Sequence, residues 1–281
     1  MRIDLHAHSS ASDGTDDPTG VMTAAAAAGL DVVALTDHDT TAGIPAASKT
    51  ARELGLTLVP GAEISCQMHG IGVHMLAYLH DPDDRALLAE EEQTKIDRLT
   101  RAERMVQRLS EDFDITWADV QRHCRPDVAV GRPHIADALV EAGAVASRDE
   151  AFATVLHGRS RYYLPYHSPE ADLIVRLVIA AGGVPVMAHP RAGRRGRLVS
   201  DDDIATLARA GMAGLEVEHR DHEEADRVRL RGLAADLGLL MTGSSDYHGT
   251  GKVNRIGEHT TAPEVLEAIV AKGTPERVVR P

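Results

Sequence analysis

The sequence has few aromatic residues, few cysteines and no excess of basic residues. Phenylalanine, tryptophan and tyrosine together make up 3% of the 281 residues, which argues against a surface on which nucleic-acid bases stack. The two cysteines, Cys66 and Cys124, are too few for a disulfide framework. The formal net charge of −13 excludes a surface that coats nucleic acid in general, although a local basic groove stays open.

Long apolar runs are also missing. The longest run, at residues 21–30, is interrupted by Thr23 and Gly29 and is too short to cross a membrane. The first residues include Arg2, Asp4 and His6 where a signal peptide would have an apolar segment. We therefore expect a cytoplasmic enzyme with no membrane association and no obligate protein partner.

The order of apolar and helical segments predicts an α/β fold. Short apolar runs alternate with helical stretches in residues 1–84 and again in 161–281, a pattern typical of parallel βα units. Residues 85–160 have helical spacing alone. We expect about seven strands in a closed or nearly closed (β/α) barrel, formed by residues 1–84 and 161–281, with residues 85–160 as an all-helical insertion.

Many of the 15 histidines follow predicted strands, together with acidic residues. His6 and His8 form an H-x-H pair, and side chains two residues apart in an extended chain leave the same face. Glu63 is expected just after the third strand, and His74 on the next one. Because barrel strands end at one mouth, nine side chains are expected to converge there: His6, His8, Asp13, His38, Glu63, His74, His189, Asp246 and His248.

This set of side chains predicts a metal site with more than one ion. Imidazoles and carboxylates packed together are costly unless a cation neutralises them. Nine ligands exceed what one ion needs when a position is kept for water. Because none of the nine is a cysteine, two or three ions of Mn, Zn or Fe are expected, with Glu63 as a bridging ligand.

The motifs that carry these residues resemble those of the PHP (polymerase and histidinol phosphatase) family, above all its stand-alone phosphoesterases. They are D-L-H-x-H-S-x-x-S-D-G, T-D-H-D-T, G-x-E, V-H-x-L, A-H-P and S-D-x-H-G. The resemblance implies a distorted (β/α)7 barrel, residues 1–84 and 161–281, with a trinuclear site. It implies three ligand sets: His6, His8, Glu63 and Asp246; Glu63, His74 and His189; and Asp13, His38 and His248.

The resemblance also implies hydrolysis of a phosphate ester of a small nucleotide by a metal-activated hydroxide. The substrate could be a 3′,5′-nucleotide bisphosphate, a mononucleotide or a short oligonucleotide. The helical insertion would cap the mouth and supply Arg132 and His134 from its G-R-P-H segment. Arg132 would bind and neutralise phosphoryl oxygens, unless it only begins a helix. His134 would donate to phosphate or protonate the leaving oxygen.

Other polar residues near the predicted strand ends have weaker signals. A basic run follows His189 and comprises Arg191, Arg194, Arg195 and Arg197. It is either a solvated loop or a grip on a second phosphate, which makes Arg194 a candidate substrate-binding residue. Asp37 and Asp39 either orient ligand histidines or, for Asp39, cap the next helix. His219 and His222 follow another strand, so His219 could reach the site, but a surface position is the expectation.

Two other kinds of function fit part of the pattern. A metal-dependent amidohydrolase also has an H-x-H pair, a later histidine and a final aspartate at strand ends. Asp13, Glu63 and the pair Asp246 and His248 exceed the needs of such a site, and no strand end offers a clear lysine for carboxylation. A non-catalytic, metal-loaded binding module is the second alternative. Such a module does not require a full ligand set, whereas all nine positions are filled here.

Overall fold

The structure is a computed structural model that describes residues 1–124, 130–165, 168–193 and 196–281. The chain divides into two compact units. The first unit comprises Met1–Glu91 and Ser168–Pro281, and the second comprises Glu92–His167. The assignment of residues 1–84 and 161–281 as a metal-binding barrel, and of 85–160 as its cap, stays a prediction.

The first unit contains a seven-stranded sheet whose strands follow one another in chain order. The strands are β1 (Ile3–Asp4), β2 (Val32–Leu35), β3 (Thr57–Met68), β4 (Ile71–Tyr78), β5 (Val184–Met187), β6 (Gly214–Glu218) and β7 (Leu240–Gly243). Beyond the strand ends, Ala7 pairs with Tyr247, and the amide of His8 donates to the carbonyl of Tyr247 at 2.8 Å. The first and last strands therefore meet, and the predicted distorted (β/α)7 barrel is confirmed.

Strand β4 departs from the parallel arrangement that the alternation of strands and helices favours. This strand is antiparallel to both β3 and β5, whereas the other neighbouring pairs are parallel. β3 and β4 form a hairpin whose two connecting residues, His69 and Gly70, both have positive φ angles of 52° and 70°. Two such residues favour a tight hairpin turn over a crossover helix.

Six helices of the first unit pack against the sheet or continue from it. They are α1 (Pro18–Ala27), α2 (Ile44–Leu54), α7 (Ala171–Ala180), α8 (Asp201–Arg209), α9 (Glu224–Leu237) and α10 (Pro263–Lys272). Local sequence sets their ends: the Asp17 side chain accepts from the amide of Gly20 at the start of α1. Gly55 ends α2 in the left-handed conformation, at a φ of 72°. Buried Ile, Leu, Val, Ala and Met side chains fill the space between these helices and the sheet.

The second unit is helical in the residues that the structure describes. Its helices are α4 (Trp117–Arg122), α5 (Arg132–Glu141), α6 (Arg148–Thr154) and most of α3 (Arg85–Leu109), which begins in the first unit. Met105, Leu109, Ile135 and Leu139 are buried in a core of its own. Among the described helices of the whole chain, none is both long and apolar enough to cross a membrane.

Candidate metal centre

The H-x-H pair lies just beyond β1 and points into the barrel mouth. His6 and His8 are fully buried, and their Nε2 atoms are 2.9 Å apart. Glu63 Oε2 lies 3.2 Å from the first of these atoms and 3.1 Å from the second. Asp246 Oδ1 lies 3.5 and 3.3 Å from the same two atoms. Four potential ligand atoms from three distant segments thus surround one point.

A second group of potential ligands lies on the other side of the His8 ring. It consists of His8, Asp13, His38 and His248, whose donor atoms all lie within 4.8 Å of one another. His248 Nε2 is 3.2 Å from Asp13 Oδ1, and His8 Nδ1 is 3.8 Å from the same oxygen. His38 Nε2 is 3.9 Å from Asp13 Oδ2. The two nitrogens of His8 therefore face two different groups.

Glu63 joins these groups to a third. Its Oε1 atom is 2.8 Å from His74 Nδ1 and 2.9 Å from His189 Nε2. Its Oε2 atom is 3.3 Å from His38 Nδ1, and His38, Glu63 and His74 form the third set of close donor atoms. One buried carboxylate thus has imidazole nitrogens of five histidines around it: His6, His8, His38, His74 and His189.

Two of the nine residues are held in an unusual backbone conformation. His189 follows β5 with a φ of 30°, and Asp246 follows β7 with a φ of 52°. Such angles are costly for residues other than glycine and persist where the surroundings impose them. Glu63 differs from the expectation, because it lies inside the long strand β3 instead of in a loop after it. Its side chain still reaches the mouth because β3 and β4 extend past the ends of the neighbouring strands.

Several buried ring nitrogens at this mouth are placed to bind a cation. His8 Nδ1, His38 Nδ1 and His248 Nε2 have no hydrogen-bond partner among the described residues. Such atoms are costly to bury unless something binds them. His248 donates its Nδ1 hydrogen to the backbone carbonyl of Asp246 at 2.9 Å, which turns the Nε2 lone pair toward Asp13. Divalent cations fit this set of nitrogen and carboxylate donors.

The chain is similar to proteins of known family. The PHP domain model matches residues 4–122. Over 280 residues the chain is 31% identical to a 3′,5′-nucleoside bisphosphate phosphatase of Chromobacterium violaceum, with 99% of this chain and 98% of the relative covered. This chain belongs to the PHP family. The prediction that it is a metal-dependent phosphoesterase, a hydrolase that acts on ester bonds, is confirmed.

Further relatives of this PHP protein have related activities. A phosphoribosyl 1,2-cyclic phosphate 1,2-diphosphodiesterase of Eggerthella lenta is 33% identical, covering 92% of this chain and 98% of the relative. A 5′-3′ exoribonuclease of Haemophilus influenzae is 32% identical, covering 88% and 90%.

Two solved structures have the same architecture as this PHP protein. A Bifidobacterium adolescentis protein described as a metal-dependent phosphoesterase is 42% identical, with a TM-score of 0.94 over 97% of this chain and 96% of the other. A Chromobacterium violaceum protein described as an amidohydrolase, with bound sulfate and no metal, is 30% identical, with a TM-score of 0.88 over 100% and 98%. The likeness extends over the whole chain in both cases.

Sequence reasoning missed Glu216, which supports the PHP site from β6. This fully buried glutamate accepts from His6 Nδ1 at 3.0 Å and from the backbone amide of His189 at 2.7 Å. The hydroxyl of Ser244 also donates to it. Because its carboxylate takes the Nδ1 hydrogen of His6, it leaves Nε2 of that ring for the ligand group.

We expect Glu216→Gln to weaken metal binding by about 10- to 100-fold, because this carboxylate orients His6 and His189 without lying among the donor atoms. The amide group of glutamine can accept with one oxygen only. Metal affinity is measured by competition with a chelator of known affinity, and circular dichroism reports the fold. Unchanged affinity in the variant would contradict this role. The control is Glu218→Gln, two residues further along β6.

The expected surface position of His219 and His222 is wrong, since both are buried. His219 Nδ1 accepts from the backbone amide of Asp221 at 3.0 Å, so its proton lies on Nε2, which is 3.6 Å from Asp246 Oδ2. His219 therefore faces Asp246 with an N–H group instead of a lone pair. A lone pair would be needed for a metal ligand.

Asp37 and Asp39 hold loops in place beside the candidate metal centre. Asp37 accepts from the amide and hydroxyl of Ser9 and from the hydroxyl of Ser12, next to Asp13. Asp39 accepts from the amide and hydroxyl of Ser65 on β3. The N-cap of α2 is Gly43 and not Asp39, and the prediction that the two aspartates support the site stays a prediction.

The proposed substrate-binding residues are not among the residues that form the candidate metal centre. Arg132 and His134 are in the second unit, at the start of α5. Arg132 Nη1 donates to the carbonyl of Leu156 at 3.1 Å, and His134 Nδ1 accepts from the amide of Gly131 at 3.1 Å. Arg194 lies outside the described residues. The roles of all three in substrate binding stay predictions.

Charge coupling shifts the pKa values of two candidate ligand residues. Burial lowers the pKa of His6, but Glu63, Glu216 and Asp246 outweigh it and raise the value well above its usual range. Burial also lowers the pKa of His8, yet hydrogen bonds to Asp246 and Glu63 raise it to about 9. A cation would therefore compete with protons at His6 and His8.

Metal uptake by the metal-free protein is therefore expected to release protons, and metal affinity is expected to rise with pH until His8 titrates at about 9. The sign follows because a cation and a proton compete for the same nitrogen, so a higher pH removes the competitor. Calorimetric titration with Mn²⁺ in two buffers of different ionisation enthalpy measures the number of protons released. Equal apparent enthalpies in the two buffers at about pH 7 would contradict the expectation.

Proposed function

We propose that this PHP protein hydrolyses phosphate esters of small nucleotides. The substrates considered are a 3′,5′-nucleotide bisphosphate, a mononucleotide and a short oligonucleotide. Support comes from relatives whose names include a nucleoside bisphosphate phosphatase, a cyclic phosphate diphosphodiesterase and an exoribonuclease.

The metal requirement in this proposal is two or three divalent ions of Mn, Zn or Fe. The residues that would hold them are His6, His8, Asp13, His38, Glu63, His74, His189, Asp246 and His248. The observation that carries the proposal is the position of Glu63, whose two carboxylate oxygens face imidazole nitrogens of five histidines at 2.8–3.3 Å. Nitrogen and carboxylate donors without a thiolate suit these metals.

The chain's own residues would prepare the reaction in several ways. Bound cations would supply an acidified water and a positive charge for the phosphoryl oxygens. Glu63 would fix the spacing of the cations as a shared ligand. Glu216 accepts the Nδ1 hydrogen of His6, and the Asp246 carbonyl accepts the Nδ1 hydrogen of His248. Both rings are therefore held in one orientation.

The helical insertion at residues 85–160 would act as a cap in this proposal. Arg132 would pair with phosphoryl oxygens through its planar guanidinium. His134 would donate to phosphate or to the leaving oxygen, since Nδ1 accepts from the amide of Gly131 and its hydrogen therefore lies on Nε2. Arg194 would bind a second phosphate group or an oligonucleotide backbone.

The test is release of inorganic phosphate from a panel of nucleotides by the Mn²⁺-loaded protein, with and without chelator. The panel contains 3′,5′-bisphosphates, 5′-monophosphates and short oligonucleotides. Turnover that the chelator abolishes supports the proposal. A second panel contains amides and lactones, and turnover of these without phosphate release would support the amidohydrolase alternative. Absence of turnover on both panels would support a binding module.

A further inference from the structure

Lys252 stands beside the candidate metal centre and was not singled out by the sequence. Its Nζ atom is 2.9 Å from Asp246 Oδ2. The other oxygen of that carboxylate, Oδ1, is the one that faces His6 and His8. The ammonium group therefore contacts one oxygen of the Asp246 carboxylate, while the other oxygen would hold a cation. This ion pair joins a lysine to one of the nine proposed ligands.

The loop after β7 holds Lys252 in this position. The turn at Gly249, with a φ of 65°, reverses the chain, and the amide of Thr250 donates to the hydroxyl of Thr15 at 2.8 Å. Beyond the lysine, Asn254 Nδ2 donates to the carbonyl of Ser245 at 2.6 Å. The loop is thus fastened on both sides of Lys252, which places the ammonium over Asp246 at a defined point.

Lys252 is also open toward solvent, unlike the carboxylate that it contacts. Its side chain is 30% exposed, whereas that of Asp246 is 1% exposed. A lysine ammonium has three hydrogens, and the hydrogen bonds among the described residues use one of them, toward Asp246. The remaining hydrogens can reach a ligand that enters the mouth from the solvent side.

We propose that Lys252 binds the phosphoryl group of the substrate and favours phosphomonoesters over phosphodiesters. The inference rests on the proposed function and names a residue that sets its specificity. A monoester carries close to two negative charges at neutral pH, and a diester carries one. The chain has a net charge of −13, and the carboxylates of Asp13, Glu63, Glu216 and Asp246 are buried at or next to the mouth. A fixed ammonium therefore matters more for the dianion than for the monoanion.

The experiment compares Lys252→Met, which keeps the length of the side chain, with Lys252→Arg, which keeps the charge. Lys49→Met, at an exposed position on α2, is the control. Activity is measured with Mn²⁺-loaded protein on p-nitrophenyl phosphate and on bis-p-nitrophenyl phosphate. Calorimetry measures binding of inorganic phosphate and of dimethyl phosphate to the same protein, and mass spectrometry measures its metal content.

In Lys252→Met we expect kcat/KM to fall about 100-fold for the monoester and less than about 5-fold for the diester. Affinity for inorganic phosphate is expected to fall about tenfold, while affinity for dimethyl phosphate and metal content stay unchanged. Lys252→Arg is expected to restore most of the monoester activity, and the control should match the unaltered protein.

Two results would overturn the proposal. Equal losses on both substrates together with lost metal would mean that Lys252 only holds Asp246 as a ligand. Unchanged phosphate affinity in Lys252→Met would mean that the ammonium does not contact the phosphoryl group. If the unaltered protein hydrolyses no phosphate ester, the proposed function fails, and the calorimetry still decides whether Lys252 binds phosphate.

Discussion

Replacing Glu63 by glutamine is expected to lower the rate of phosphate-ester hydrolysis more than about a thousandfold while the barrel still folds. Both carboxylate oxygens face imidazole nitrogens, so the side chain is the shared member of two groups of potential ligands. Glutamine has the same size, but it loses the negative charge and turns an NH2 group toward one of the two groups. At least one cation would lose its ligand.

Three measurements check this expectation on Glu63→Gln: phosphate release, metal bound per chain and circular dichroism. The matched control is Glu53→Gln, an exposed glutamate on α2, which should keep full activity and metal content. A Glu63→Gln protein that retains more than about a tenth of the activity would contradict a bridging role. Loss of the dichroism signal would show that Glu63 is needed for folding. Glu63→Asp, which keeps the charge, would then separate this role in folding from the role as a shared ligand.

The sequence could predict where the ligand residues converge because strand ends obey a simple geometric rule. His6, His189 and Asp246 each follow an apolar run, and parallel strands bring such positions to one mouth. The rule misplaced Glu63, because β3 and β4 form an antiparallel hairpin that no crossover helix interrupts. The signal that could have shown it is the pair His69 and Gly70, two residues suited to positive φ between two apolar segments.

The supporting residues could not be predicted in the same way. Glu216 lies between Leu215 and Val217 on a short strand, and alternation alone says only that it faces away from these neighbours. Its partner His6 is 210 residues distant in the chain, so the contact exists only after the barrel closes. His219 was expected at the surface because a histidine after a strand is usually solvated, whereas its burial depends on its ring contacts with His189 and His222.

In the second unit, the structure shows which side chains surround Arg132, a residue that the sequence could indicate only by itself. Arg132 lies at the start of α5, where Gly131 and Pro133 favour the beginning of a helix. Its guanidinium carbon is 5.3 Å from the centre of the Phe152 ring and 5.5 Å from that of Tyr163. Two aromatic rings and the Leu156 carbonyl therefore orient this side chain before any ligand binds.

Arg132→Ala is expected to lower kcat/KM by about 100-fold, through a higher KM, with the metal content of the protein unchanged. A guanidinium held in one orientation pays little entropy when it pairs with two phosphoryl oxygens, so its removal costs binding. Because the nine proposed metal ligands all belong to the first unit, they should not respond to this change. Steady-state kinetics with the best nucleotide substrate and mass spectrometry of bound metal measure both effects.

Two further variants separate phosphate binding from support of the helical unit. Arg132→Lys keeps the charge but lacks the planar fork, so an intermediate KM is expected if paired hydrogen bonds to phosphate matter. Arg122→Ala removes an exposed arginine of the same unit that pairs with Asp119 and Glu141, and it should leave KM unaltered. Loss of metal in Arg132→Ala, or a KM that is unchanged in both Arg132 variants, would assign Arg132 to the structure of its unit and not to phosphate binding, because the contacts with Leu156, Phe152 and Tyr163 exist without substrate.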